Sequence, residues 1–379
     1  MIFVHGIVDP REGPGKIESI LGQLDTNGLI IPATTNELGY AFAVLSRSDL
    51  GLSDAQLAKA ELIELVAAFA EEVDASPVFP EFEGLVYLVG PSLGGLLTTL
   101  LVEETAEVFD GGLATCGPIG SFRRQVNYWG DLLVVFDYFF PQFELLNPPS
   151  EVPPTQADVA LVREDILGVW GEGDGGLGGA VRAALEASPE TAQDIATVVR
   201  VATDRTGNES VAETVFQVLE AAVLITNDGI ATLGGNPFGN ERRVYLVSDD
   251  DLALNLGAKR YEANPNALAT IAALYETSGT LGAPLVTLHN LLDHRIPYWH
   301  ELIYRRKVRL QGSGAQHTNV PVFRFGHCNF EQAEALAAFA LLVLQVDGLD
   351  ITLDIARALV EPEALERFWA FADRIGLVP

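Results

Sequence analysis

Leu85-Val86-Tyr87-Leu88-Val89-Gly90-Pro91-Ser92-Leu93-Gly94-Gly95-Leu96 is the stretch on which the reading of this chain turns. Five apolar residues, the length of a buried strand, run directly into Gly-x-Ser-x-Gly, and the apolar run from Leu96 to Val102 follows at once. The pattern predicts a strand, a tight turn and a helix. A serine at the apex of such a turn holds a strained backbone, and its neighbours must be small, which is the place of Gly90 and Gly94. The five-residue pattern alone is a weak signal, and a plain Gly-Ser turn would also produce it. The strand before and the helix after make it a strong one.

Outward from this turn the same alternation continues. Ile2-Phe3-Val4, residues 41–45 (AFAVL) and Gly112-Leu113-Ala114-Thr115 read as further strands, and residues 53–73 as a helix with Ser53 at its N-cap. Short apolar runs separated by amphipathic segments are the pattern of parallel strands joined by crossover helices. From residue 120 to 235 the texture changes. Tyr128, Trp129, Phe136, Tyr138, Phe139 and Phe140 lead into a loop with Pro148, Pro149, Pro153 and Pro154, and helical segments follow, broken by GEGDGGLGG at 171–179. That glycine run lacks the Gly-Lys-Ser/Thr end of a phosphate loop and the repeated aspartates of a calcium loop, so it reads as a connector. Strands are expected again at 284–288 (PLVTL) and 320–325 (VPVFRF), and a closing helix at 331–346. The expected organisation is a sheet domain from 1–119 and 236–379, with 120–235 inserted as a mainly helical cap.

A serine hydroxyl is a poor nucleophile unless a base takes its proton and a third group holds that base in the right tautomer. His327, in Phe325-Gly326-His327-Cys328-Asn329-Phe330, lies just past the last strand and before the closing helix, where it can turn toward Ser92. The bland alternative is a surface-loop histidine. Asp293 follows the preceding strand and comes before His327, which makes it the expected acid; the rival Asp249-Asp250-Asp251 reads as a solvated turn or helix start. His289, Asp293 and His294 can be drawn as metal ligands, but no third histidine or cysteine is suitably spaced, so neither metal nor cofactor is expected. Two backbone amides are expected to face a developing oxyanion: Leu93, at the head of the helix after the serine, and Ile7, after His5-Gly6. His5 itself reads as structural.

Composition narrows the partners. The 379 residues are 48% hydrophobic, enough for one large domain with an insertion, and the net charge of -29 argues against nucleic acid or an anionic membrane as partner. Lysine is scarce beside arginine, a balance that salt adaptation, base composition and ordinary solubility explain alike. No uninterrupted apolar run reaches the roughly 18 residues of a membrane span. The chain opens almost at once on a strand, as though residues upstream, a leader among them, came before Met1. Cys116 ends the strand after the serine's helix and Cys328 follows His327, so both are expected at the carboxyl edge of the sheet, either bridged or as two buried thiols. A bridge would suit a secreted or periplasmic home; free thiols would suit a cytoplasmic one.

With these motifs in view the sequence resembles the α/β-hydrolases of the esterase and prolyl-oligopeptidase-like branch. The likeness runs through VHG at 4–6, LGYAFAVLSRS at 38–48, GPSLGG at 90–95, FDGGLATCG at 109–117, DYFFP at 137–141, PFGN at 237–240, PLVTLHNLLDHRIPYWH at 284–300 and FGHCNF at 325–330. The resemblance implies a mostly parallel sheet flanked by helices, with Ser92, Asp293 and His327 as a catalytic triad. Two departures stand out: the two strands that normally precede the His-Gly strand are missing, and Pro91 replaces a more usual Asp, Glu, His or Gln. The implied activity is hydrolysis of a small or polymeric carboxylic ester through an acyl-enzyme. A peptidase or amidase would share the machinery, and a binding protein on the same fold would keep it without using it.

Overall fold

A computed structural model describes residues 1–6, 25–26, 29–45, 54–75, 84–149, 160–171 and 175–347. Six strands form its main sheet: β1 (Ile2–Phe3), β4 (Ala43–Val44), β5 (Tyr87–Pro91), β6 (Gly111–Thr115), β7 (Leu285–Leu292) and β8 (His317–Phe325). Their order is β4-β1-β5-β6-β7-β8, and every adjacent pair is parallel. A separate antiparallel pair, β2 (Asp25–Thr26) and β3 (Leu29–Ile30), leads into α1 (Ile31–Glu37).

Successive side chains of a strand point to opposite faces, and here each face has its own cover. Ile2, Val4 and Leu88 pack with Leu96, Leu97 and Leu100 of α3 (Leu93–Glu104) and with Ala58 and Leu62 of α2 (Ala55–Ala75). Phe3, Tyr87, Val89 and Leu113 point the other way, onto Phe339, Leu342 and Val343 of α12 (Gln332–Asp347). Tyr87 and Phe339 meet edge to face, 5.8 Å between centroids. Apolar residues are therefore required on both faces, and Val86 to Val89 supply them; the strand expected at 85–89 runs from Tyr87 to Pro91, and Leu85 before it is 39% exposed.

Between β6 and β7 lie α4 (Phe122–Phe139), α5 (Ile166–Trp170), α6 (Leu177–Ala187), α7 (Pro189–Val199), α8 (Val211–Leu233), α9 (Asp251–Gly257) and α10 (Pro265–Leu274). α8 packs against α4, α6 and α7. By length and composition α8 could cross a membrane, although polar residues interrupt it; 56% of its apolar window is buried inside the protein. The expected aromatic stretch divides: Phe136 and Phe140 stack in the core at 5.1 Å, whereas Trp129 reaches the cavity described below.

Several expected boundaries move. The helix expected at 53–73 is capped by Asp54, whose Oδ1 accepts from Gln56 N at 2.9 Å and Leu57 N at 3.0 Å. β7 runs on to Leu292, because His289 and Asn290 are buried polar residues and do not begin a loop. β8 starts at His317. Asp250 caps α9 through Ala253 N at 2.9 Å, in keeping with a helix start. Ile7, Ser53, Pro153, Pro154 and residues 172–174 of the glycine run lie outside the described residues.

Candidate active site

Ser92 sits between β5 and α3 at φ 55° and ψ -123°, a positive-φ conformation that a residue with a Cβ adopts only when its surroundings enforce it. Its N–H donates to Thr115 O on β6 at 2.8 Å, and its carbonyl accepts from Gly95 N at 3.0 Å. A Cβ at Gly94 would come within 2.0 Å of Val4 O, and one at Gly90 within 2.5 Å of Gly94 O. The two glycines thus let α3 approach β1 closely enough to close the turn. In that turn the Leu93 N–H, first of its helix, has no intrahelical acceptor.

β7 and β8 deliver the other two groups. His327 Nε2 lies 3.1 Å from Ser92 Oγ, and His327 Nδ1 lies 2.7 Å from Asp293 Oδ2. Asp293 is fully buried, one residue beyond β7, and its Oδ1 accepts from the backbone N–H of Arg295 and of Ile296, each at 2.9 Å. Burial alone would raise its pKa, but the charge of His327 and hydrogen bonds from His289 and His327 outweigh it and hold the carboxyl below the ordinary range. The sequence-expected serine, histidine and aspartate are therefore brought into one hydrogen-bonded chain.

Behind the aspartate stands a pair that the sequence reading did not assign. His289 Nδ1 is 3.1 Å from Glu301 Oε1 on α11 (Trp299–Gln311), and His289 Nε2 is 2.8 Å from Ile296 O and 3.5 Å from Asp293 Oδ2. Both ring nitrogens face acceptors, so the ring carries both protons. Burial would lower its pKa, yet the two carboxylates outweigh that and raise it from 6.5 to about 10. Glu301 Oε2 in turn accepts from Thr287 Oγ1 and Asn319 Nδ2, both at 2.8 Å. The four-residue spacing of His289 and Asp293 was legible; Glu301, eight residues further on, carried no signal of its own.

α4 grips the same turn from the other side. Gln125 Nε2 donates to Arg295 O at 2.9 Å, and Tyr128 Oη donates to His294 O at 2.5 Å. Gly120 N donates to His300 Nδ1 at 3.0 Å, leaving Nε2–H to donate to Gln125 Oε1 at 2.9 Å. His300 is therefore neutral, its pKa held well below the usual value by burial first and then by the charge of His289. His294, which burial pushes down to about 3, stacks on Phe325 at 4.9 Å. Among the described residues, the group of side chains close enough to share a metal ion is Cys116, His327 and Cys328, and its two sulfurs are bonded to each other.

Cys116 and Cys328 are joined by a disulfide with Cα atoms 5.4 Å apart. The bridge ties the residue after His327 to the residue after Thr115, whose carbonyl holds Ser92. His5 is buried, and its Nδ1–H donates to Gly6 O at 2.8 Å. Ile7, the second expected oxyanion donor, is outside the described residues, although Gly6 lines the site. Ser92 and His327 open into a cavity of about 700 Å³ with a mostly apolar wall that includes Phe3, Val89, Trp129 and Ile225.

No family model matches the chain, and no curated protein matches it in sequence. Among solved structures it is similar to feruloyl esterase B from Aspergillus oryzae, at 13% identity and TM-score 0.43 over 92% of this chain and 75% of that one. It is also similar to a monoacylglycerol lipase from Paleococcus ferrophilus, at 12% identity and TM-score 0.35 over 92% of this chain and 94% of that one. A third is an acylaminoacyl peptidase from Pyrococcus horikoshii, at 11% identity and TM-score 0.38, where 95% of this chain spans 39% of the other. The parallel order β4-β1-β5-β6-β7-β8, the serine on the strained turn after β5, and the acid and histidine after β7 and β8 give this chain the α/β-hydrolase fold.

Proposed function

We propose that the protein is a serine hydrolase that cleaves carboxylic esters through an acyl-enzyme. The observation that carries the reading is the unbroken path from Ser92 Oγ to His327 Nε2, at 3.1 Å, and from His327 Nδ1 to Asp293 Oδ2, at 2.7 Å. Ser92 attacks the ester carbonyl while His327 takes the hydroxyl proton; the proton then passes to the leaving alcohol. Water enters by the same route in reverse and releases the acid. Asp293 keeps Nδ1 protonated, so that Nε2 is free to accept. The Leu93 amide, with the amide of Ile7 as its expected partner, stabilises the oxyanion, and loss of one such donor costs about 3–4 kcal/mol of transition-state stabilisation.

Residues 120–235 act as a cap that shapes the cavity, since Trp129 of α4 and Ile225 of α8 line it together with Ser92. The mostly apolar wall favours esters with an apolar acyl or aromatic part. The test is a hydrolysis screen with 4-nitrophenyl esters of graded chain length beside an aminoacyl 4-nitroanilide. Ester turnover should exceed anilide turnover, and Ser92→Ala should lower it by about 10⁴-fold or more while the fold persists. A folded Ser92→Ala protein with near-normal turnover overturns the proposal, and preferential anilide cleavage replaces it with an amidase.

A further inference from the structure

We propose that Arg295 adapts the cavity beside Ser92 to esters carrying a second, carboxylate group. This rests on the hydrolase reading above and names its substrate class. Arg295 lies two residues past Asp293 in a turn pinned from both sides. Its own N–H is bound by Asp293 Oδ1 at 2.9 Å, its carbonyl by Gln125 Nε2 at 2.9 Å, and the neighbouring His294 carbonyl by Tyr128 Oη at 2.5 Å. The root of the arginine side chain is thus fixed relative to the triad acid. The side chain lines the same cavity as Ser92 and His327.

The guanidinium is uncommitted. Its Nε is buried with no hydrogen-bond partner, and no carboxylate among the described residues forms an ion pair with it. That is unusual in a chain where 52 acidic residues face 23 basic ones, because a charged, partly buried group should recruit one of them. A guanidinium, always cationic and fork-shaped, that has no carboxylate partner in a mostly apolar wall calls for an acceptor from outside. The planar carboxylate matches the fork. Glu220, the one carboxylate among the described lining residues, is on α8, accepts from Trp170 Nε1 at 3.2 Å and is not paired with Arg295. The substrate anion therefore belongs at Arg295 and not at Glu220.

The experiment compares esters matched in size. 4-Nitrophenyl hydrogen adipate against 4-nitrophenyl hexanoate places the carboxylate on the acyl half; 4-carboxyphenyl hexanoate against 4-carbamoylphenyl hexanoate places it on the alcohol half. The native protein should favour the anionic member of one pair in kcat/KM by about 10- to 100-fold, the range of hydrogen bonds to a charged group, and salt should erode the preference. The pair in which this happens identifies the half of the ester that Arg295 reads. Arg295→Gln should abolish the ratio and Arg295→Lys should keep part of it. Hydrolysis of all four esters without a preference for either anion overturns the inference and leaves the hydrolase reading standing. Calorimetric titration of the native and Arg295→Gln proteins with benzoate reads the site without turnover. About tenfold weaker binding in the variant supports the anion site even if no ester is cleaved; equal binding, or none to the native protein, overturns it.

Discussion

The His289 imidazole faces the Glu301 carboxylate across 3.1 Å, with both side chains buried behind Asp293. The ring carries charge in the folded protein at pH values where an unfolded histidine does not. Its pKa is about 10 folded against 6.5 unfolded, so the stabilisation is full below pH about 6.5 and is lost as pH rises through about 10. Thermal midpoints measured from pH 6 to 10.5 should fall along this window. His289→Gln should flatten the dependence and cost on the order of 3–5 kcal/mol, since Glu301 loses its buried partner. An unchanged slope in the variant would show that the ring is neutral.

The elbow depends on backbone closeness and not on side-chain chemistry alone. An alanine at position 94 would put its Cβ 2.0 Å from Val4 O, a rigid backbone atom. Gly94→Ala should therefore force β1 and α3 apart, costing about 1–3 kcal/mol or more, and should depress turnover by misplacing Ser92. Gly168, in α5, has open space around its would-be Cβ. Gly168→Ala should be neutral or add up to about 1 kcal/mol. Urea midpoints of the two variants make the comparison, and equal midpoints would contradict it.

These two glycines also mark the division between what the sequence disclosed and what it hid. The strand, the elbow and the helix are local features, each readable from apolar periodicity and from the need for small residues beside Ser92. The order of serine, acid and histidine could likewise be read along the chain, because each follows a strand. The support for the acid could not. Gln125 and Tyr128 reach the turn of Asp293 from 166 to 170 residues away, and no local pattern announces such contacts. β7 runs past its expected end at Leu288 for a related reason. Asn290 looks like a loop residue, yet its side chain is buried and exchanges hydrogen bonds with the backbone of Asn329, donating at 2.8 Å and accepting at 3.0 Å. At α2 two good caps, Ser53 and Asp54, stand side by side, and only the register of the first turn chooses Asp54.

The disulfide gives a separate test. It spans 212 residues of chain, a loop whose closure on entropic grounds stabilises by about 5 kcal/mol. Because Cys328 adjoins His327, reduction should cost activity as well as stability. Cys116→Ser with Cys328→Ser should lower the thermal midpoint and weaken kcat more than KM, as His327 loses its register with Ser92. Free-thiol titration of the denatured, unreduced native protein should find none. Two thiols in protein made in an oxidising compartment would refute the bridge.

The choice of acid can be tested by a substitution that keeps shape and removes charge. Asp293 Oδ1 accepts two backbone N–H groups and Oδ2 accepts His327 Nδ1–H, so every contact of the carboxylate is with a donor. In Asp293→Asn the amide oxygen can satisfy only one side, and the pair of backbone donors claims it. The amide NH₂ then faces His327 and forces Nδ1 to accept, which leaves the proton on Nε2, pointing at Ser92. A base with its proton on the wrong nitrogen cannot take another. Turnover at neutral pH should drop by about 10⁴-fold, with KM moved far less. Asp250 is the control: its side chain caps α9 by accepting from Ala253 N at 2.9 Å, and asparagine caps about as well as aspartate. Asp250→Asn should therefore leave turnover near that of the native protein. The reverse outcome, a neutral Asp293→Asn and a severe Asp250→Asn, would move the acid to the other loop.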